Sequence, residues 1–278
     1  RKFSIPVNKE NVIKYGILDE KYADRIPEEI VLTISKDKNA ISKQELFLLD
    51  FLSNYQWDRP LNMLSMGGDL NVGIKEYLMY EGFSYKFVPI KNKMSSLDVG
   101  FADPDDLYHK MTEVFKWDAL ARTDYFVDYQ NLYTFCGVLP QRVLFLNVAR
   151  EMKKAGWNDR AIEMLDKCQE CMPEKNYPLD VSYLGFSNEM IVVGIIEEYM
   201  ALGAKDKGLD LAKRFFNEIM QSASFYLSFY DFASSDFETC LKYVYYLADI
   251  LESNGYEDES KGFTEAVSEM VKPFVGGE

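Results

Sequence analysis

Apolar positions follow two regimes along the chain. Before about residue 95 they come as short runs; from Leu139 onward they recur every three or four positions. In the first regime Ile30-Val31-Leu32-Thr33-Ile34 is β-branched, with Pro27 before it and Lys36-Asp37 after, and predicts a strand. Ser42 followed by Glu45 is a capping-box signature. It predicts a helix over Glu45–Asn54 with Leu46, Leu49 and Leu52 on its apolar side. Arg59-Pro60 ends the turn that follows, and Leu61–Met66 reads as extended up to Gly67-Gly68. Ile74, Tyr77 and Leu78 stand at i, i+3 and i+4, so Gly73–Glu81 reads as a helix with Gly82 as its C′ residue. Phe83–Ile90 returns as a strand. Strand, short helix, strand predicts a small β-α-β unit with a parallel pair and a right-handed crossover.

Residues 96–138 are a connecting helical segment. Asp98, Asp103, Asp105 and Asp106 cluster around Pro104. Their spacing fits no EF-hand loop, so Asp103 or Asp105 is expected to cap a helix starting near Leu107. Tyr108, Met111, Val114 and Phe115 would form one face of that helix, with His109 off the stripe and facing solvent. Over 139–278 three helix–turn–helix segments align on Gly156, Gly203 and Gly255, and Ala161, Gly208 and Ser260 each follow a turn glycine by five positions. Small residues there let antiparallel helices approach closely. Ala149, Ala161, Cys168 and Pro173 resemble the tetratricopeptide pattern, although the turn glycines are 47 and 52 residues apart. The expected fold is α+β, mainly α. A β-α-β-containing part over 1–95 is followed by tetratricopeptide-like hairpins; a plain α-bundle is the alternative.

Composition narrows the function. The 278 residues are 47 % hydrophobic and 15 % aromatic, which excludes a disordered chain. A net charge of −14 and a single histidine make nucleic acid an unlikely partner. No run approaches the roughly 18 apolar residues of a membrane span, and Arg1-Lys2-Phe3-Ser4-Ile5-Pro6 leads into no signal-peptide core. The start at Arg1 suggests a piece of a longer product. Cys168 and Cys171 form a C-x-x-C near the C-terminal end of a helical pattern, where packing explains them better than redox or metal chemistry; Cys136 and Cys240 stand alone. The stretch Gly67–Lys75 lacks the Lys-Ser/Thr step of a phosphate loop and reads as a strand-to-helix turn. No nucleophile motif, cofactor or metal site is expected, and no carboxylate pair stands out as acid and base.

The aromatic runs Phe225–Phe232 and Tyr243–Tyr246 would fill helix joints or, less simply, line a groove. In hairpin arrays of this type the first helix of each pair lines the concave face. That places Asn147, Arg150 and Lys154 as candidate binding residues for a carboxylate or a peptide backbone.

Three strings carry a wider resemblance: Arg59-Pro60, the run Tyr77–Lys91 (YLMYEGFSYKFVPIK), and Arg160–Cys168 leading to Met172-Pro173. Together they resemble the soluble C-terminal region of large Bacteroidetes multi-pass membrane proteins. That family, formerly of unknown function, is related to GT-C-type and protein O-mannosyltransferase-like glycosyltransferases. The likeness runs from Arg1 through the first hairpin and fades after Tyr177. It implies a non-catalytic extramembrane domain, periplasmic in a membrane-attached parent. Such a domain would bind acceptor protein or glycan, or brace the parent's membrane domain. It carries no catalytic residue onto this chain. A free-standing tetratricopeptide-type peptide-binding scaffold is the first alternative. An independent enzyme with a site between the two halves is the second.

Overall fold

The structure, a computed structural model, describes residues 1–36, 38–64, 72–91, 101–128, 138–183 and 186–275. They form two units, Arg1–Val114 and Phe115–Glu278. Short strands dominate the first and long helices the second, so the chain is α+β and mainly α.

In the first unit β1 (Lys2–Pro6) and β2 (Glu29–Thr33) pair antiparallel, with Phe3 opposite Leu32 and Ile5 opposite Ile30. Alternation sends Ile5, Ile30 and Leu32 into the core and leaves Lys2, Glu29 and Thr33 outside. Between the strands runs the short α1 (Lys9–Lys14), capped by Asn8. The capping box predicted at Ser42 starts α2 (Lys43–Ser53). Its inward face is Glu45, Leu49 and Leu52; Leu46 and Phe47, the former expected inside, point outward. Glu45 tolerates burial because its carboxylate accepts from the Ser42 N–H at 2.9 Å and from the Lys38 ammonium.

The helix expected over Gly73–Glu81 is instead one 3₁₀ turn, Ile74–Tyr77, running into β4 (Leu78–Tyr80). Tyr77, Leu78, Met79 and Tyr80 are all buried. An apolar run covered on both faces fits strand and helix periodicity alike. Gly82, at φ +94°, turns β4 into β5 (Tyr85–Phe87) rather than ending a helix, and the Glu81 N–H donates to the Ser84 carbonyl at 2.9 Å. β3 (Asn62–Met63) joins β5, also antiparallel. The predicted parallel β-α-β pair is therefore replaced by a hairpin and an antiparallel neighbour. The parallel pairing in this sheet is β4 with β6 (Phe101–Ala102), giving the order β3-β5-β4-β6. Gly67-Gly68, Asp98 and Cys136 lie outside the described residues.

Gly73 has no freedom to be anything else. Its φ is +82°, and a Cβ there would sit 2.7 Å from both the backbone N and O of Thr33 in β2. Gly73→Ala is expected to destabilise by about 2 kcal/mol or more, since backbone cannot move aside as a side-chain tip can. Urea unfolding of the two proteins measures it, and a difference under about 0.5 kcal/mol would refute the close approach.

α3 (Pro104–His109) begins three residues earlier than expected, with Asp103 as its cap, and continues as a π-helical turn over Lys110–Val114. Leu107 and Met111 are buried, whereas Val114 is half-exposed, so the predicted stripe is not the inner face. His109 is exposed, 3.5 Å from Glu113.

The second unit opens with the single turn α4 (Asp118–Ala121). Three αα-hairpins follow: α5 (Gln141–Lys154) with α6 (Asn158–Cys171), α7 (Asn188–Ala201) with α8 (Lys205–Leu227), and α9 (Tyr230–Ser253) with α10 (Glu257–Val275). The three turns share one geometry. Gly156, Gly203 and Gly255 have φ of +81°, +81° and +91°. The next residue in each case donates its N–H five positions back: Trp157 to Met152, Ala204 to Tyr199, Tyr256 to Leu251, at 2.9–3.0 Å. This is the Schellman closure that a left-handed glycine allows. Ala161, Gly208 and Ser260 are buried where the paired helices meet; a Cβ on Gly208 would lie 3.0 Å from Met200 Cε. The segment Met172–Ser187 between hairpins one and two ends in the antiparallel pair β7 (Ser182–Tyr183) and β8 (Phe186–Ser187).

The aromatic runs do not pack as expected. Leu227 is buried, but Phe225, Phe229 and Tyr230 are exposed and Phe232 is 95 % exposed. The run straddles the α8–α9 junction at Ser228-Phe229, so no single inward face can take it. In the second run Val244 is inside, with Tyr245 and Tyr246 outward.

Candidate functional site

Asn147, Arg150 and Lys154 all lie on α5. Asn147 and Arg150 are half-buried and Lys154 is exposed. Arg150 is engaged: its Nε donates to Glu198 Oε2 on α7 at 3.4 Å. Lys154 donates to Glu151 on its own helix at 2.5 Å. The sequence reading missed Lys153, which gives the shorter bond to Glu198, 2.6 Å. It also missed Glu198 itself, whose side chain is only 9 % exposed. Glu197 and Glu198 follow the apolar run Ile191–Ile196 within α7, and a pair of carboxylates ending such a run was the available signal. The neighbouring Glu197 accepts from the Tyr246 hydroxyl of α9 at 3.1 Å. Polar side chains thus join the first helices of the three hairpins in a strip: α5 cations on Glu198 of α7, and the α9 tyrosine on Glu197 of α7.

The second cluster is in the first unit. A cavity of about 390 Å³ is lined by Lys21, Tyr22, Lys86 and Asp103, among others. Asp103 caps α3 by accepting from the Asp105 and Asp106 N–H groups. The same carboxylate takes the Lys21 ammonium at 2.8 Å and the Tyr22 hydroxyl at 2.9 Å. Burial alone would raise the Asp103 carboxyl, but these donors outweigh it and hold it below the usual carboxylate range. Glu81 behaves alike. Burial pushes it up, and Lys110 at 2.8 Å with Lys86 at 2.7 Å pull it down further. Lys86 of the YEGFSYK string thus lines the cavity, and its ion-pair partner is Glu81 of the same string. Both carboxyls are depressed, so their stabilisation is complete above the unfolded pKa of about 4 and is lost as pH falls below it. Asp103→Asn keeps a capping side chain but loses the ion pair. It is expected to lower stability at pH 7 and to make the loss between pH 5 and pH 2 shallower. Amide exchange of residues 1–114 across that range checks it; an unchanged pH slope would contradict the pairing.

A second cavity, about 330 Å³, lies among α7, α8 and α9, where Asp180, Glu189 and Asp236 surround Cys240 with Tyr226 and Tyr243. Burial, then the field of these acids, pushes the Cys240 thiol up to about 12. Cys168 is likewise pushed up to about 12 by burial, and Cys171 is raised for the same reason. Burial thus disfavours the thiolate at all three positions. Among the described residues no set of three His, Cys, Asp or Glu is placed to hold a metal ion, and no helix is long and apolar enough to cross a membrane.

Residues 1–106 match the family model of TMEM260-associated domain 2. The match ends within α3, short of the first hairpin to which the resemblance was expected to extend. It links the chain to a TMEM260-like family of membrane proteins. No curated protein and no solved structure matches the chain significantly.

Proposed function

We propose that the chain is a non-catalytic extramembrane interaction domain of a TMEM260-like, glycosyltransferase-type membrane protein. Its hairpins are read as tetratricopeptide-like, and their first helices hold an acceptor protein. The observation that carries this reading is the polar strip over α5, α7 and α9, with Arg150 and Lys153 on Glu198 and Tyr246 on Glu197. Three hairpins closed by one turn geometry form the frame such a strip needs. The match over 1–106 supports a membrane-protein context. An O-mannosyltransferase-like parent of the GT-C type, Bacteroidetes origin and a periplasmic position complete the proposal. A glycan ligand, or bracing of the parent's membrane domain, are its variants.

A photo-crosslinking residue at Asn147 of the parent protein, expressed in its own membrane, tests it. Cross-linked protein acceptors are expected, and they should fall about tenfold in the Arg150→Glu/Lys154→Glu variant, a change of about 1.4 kcal/mol. Unchanged cross-linking in a variant with an unaltered melting curve overturns the reading.

A further inference from the structure

A groove of about 600 Å³ runs along the outward face of the β1–β2 ladder, and no function described above uses it. Its floor is apolar: Pro27, Val31, Tyr77 and Pro89. Its rim is cationic, with Lys2, Arg25 and Lys91 around a single carboxylate, Glu29. In a chain of net charge −14 this is a local inversion of sign. Glu29 already accepts the Ser4 hydroxyl at 2.5 Å, and Lys91 meets Glu76 at 2.9 Å. Lys2 is exposed and makes no ion pair with the described residues.

Two modes of peptide capture are conceivable at a sheet margin, and Tyr77 decides between them. Its hydroxyl accepts from the Val31 N–H at 3.3 Å and donates to the Val31 carbonyl at 3.2 Å. By the ladder register those groups point away from β1, toward the free edge of β2. An incoming strand would need the same two groups, so strand addition is blocked there. Recognition goes through side chains.

We propose that this groove holds an extended acidic peptide segment. Aliphatic side chains of the peptide rest on Val31, Tyr77 and Pro89. Its carboxylates, spaced two residues apart on one face of an extended chain, meet Lys2, Arg25 and Lys91. The site is in the first unit and is independent of the helical strip, so either reading can fail without the other.

The test uses the whole chain and a fluorescein-labelled, acetylated peptide of about eight alternating Glu and Val residues, with its Lys/Val counterpart as control. Fluorescence anisotropy is expected to show saturable binding of the Glu peptide, weakened by salt, and none of the Lys peptide. Lys2→Glu/Lys91→Glu is expected to weaken binding about tenfold or more, because each exposed attraction becomes a repulsion. Lys261→Glu/Lys272→Glu, on the exposed side of α10 and in neither site, should bind the Glu peptide as the parent does. Equal binding of both peptides, no saturation by about 1 mM, or unchanged affinity in the Lys2/Lys91 variant overturns the proposal.

Discussion

Replacing Arg142 with alanine is expected to destabilise the helical unit by about 3–5 kcal/mol, the largest effect of any charged residue among those described. Arg142 stands on α5, yet it is only 1 % exposed. Its guanidinium donates to the carbonyls of Tyr177 and, at 2.9 Å, Pro178, and to Asn188 Oδ1, also at 2.9 Å. Asn188 turns its Nδ2 back to Pro178 and Leu179. Glu218 on α8 accepts from the N–H groups of Leu179 and Asp180. The segment between the first two hairpins is therefore fastened by three side chains from three helices. Among the described residues no carboxylate hydrogen-bonds the guanidinium. Burial draws its pKa down to about 10, so it remains charged at neutral pH, held by carbonyl dipoles. Alanine would leave the Tyr177 carbonyl and the Asn188 amide oxygen buried without donors, at about 1–3 kcal/mol each, and open a cavity. Arg142→Lys keeps the charge but not the fork of donors, and should fall between the two. Two measurements check this: urea unfolding, and the rate at which trypsin cleaves after exposed Lys175 within the fastened segment. A loss below about 1 kcal/mol with unchanged cleavage would show the network to be incidental.

Arg142 also shows where sequence reading stops. An arginine in an amphipathic helix reads as a solvated charge, and nothing in its neighbours says that a loop some 35 residues later will close over it. Lys153 and Lys154 raise the same problem in miniature. Adjacent lysines are equivalent in composition, but helix phase gives Lys153 to Glu198 of α7 and Lys154 to Glu151 of its own helix. The hairpins themselves were legible, because a left-handed glycine is a local demand that local sequence must meet: Gly156, Gly203 and Gly255 each close the predicted turn. The strands were less so. Leu78-Met79-Tyr80 is buried at every position, and a three-residue strand leaves too few positions for period two to separate from period 3.6. The Asp103 cap was legible as a cap, since that rule is local. Its ion pair with Lys21, 82 positions away, was not.

Trp57→Ala is the companion prediction for the first unit, at about 3–5 kcal/mol. The side chain is fully buried, stacked on Phe87 at 5.2 Å between ring centres and tilted against Tyr55 at 4.8 Å. Its indole N–H donates to the Pro6 carbonyl at 2.8 Å, tying the end of β1 to the segment after α2. Trp57 also holds a left-handed backbone, φ +57°, which costs a non-glycine residue roughly 1 kcal/mol. The two facts separate by substitution. Trp57→Phe retains most of the ring contact but leaves the Pro6 carbonyl without its donor, for a loss of about 1–3 kcal/mol. Trp57→Gly loses the same packing as alanine while relieving the backbone. It should therefore be more stable than Trp57→Ala by about 0.5–1 kcal/mol, against the usual order in which glycine is the worse replacement. Urea unfolding of the three variants gives the ranking. If glycine proves less stable than alanine, the left-handed conformation is not a strain that the tryptophan holds in place. The packing and the Pro6 bond would then have to account for the whole loss.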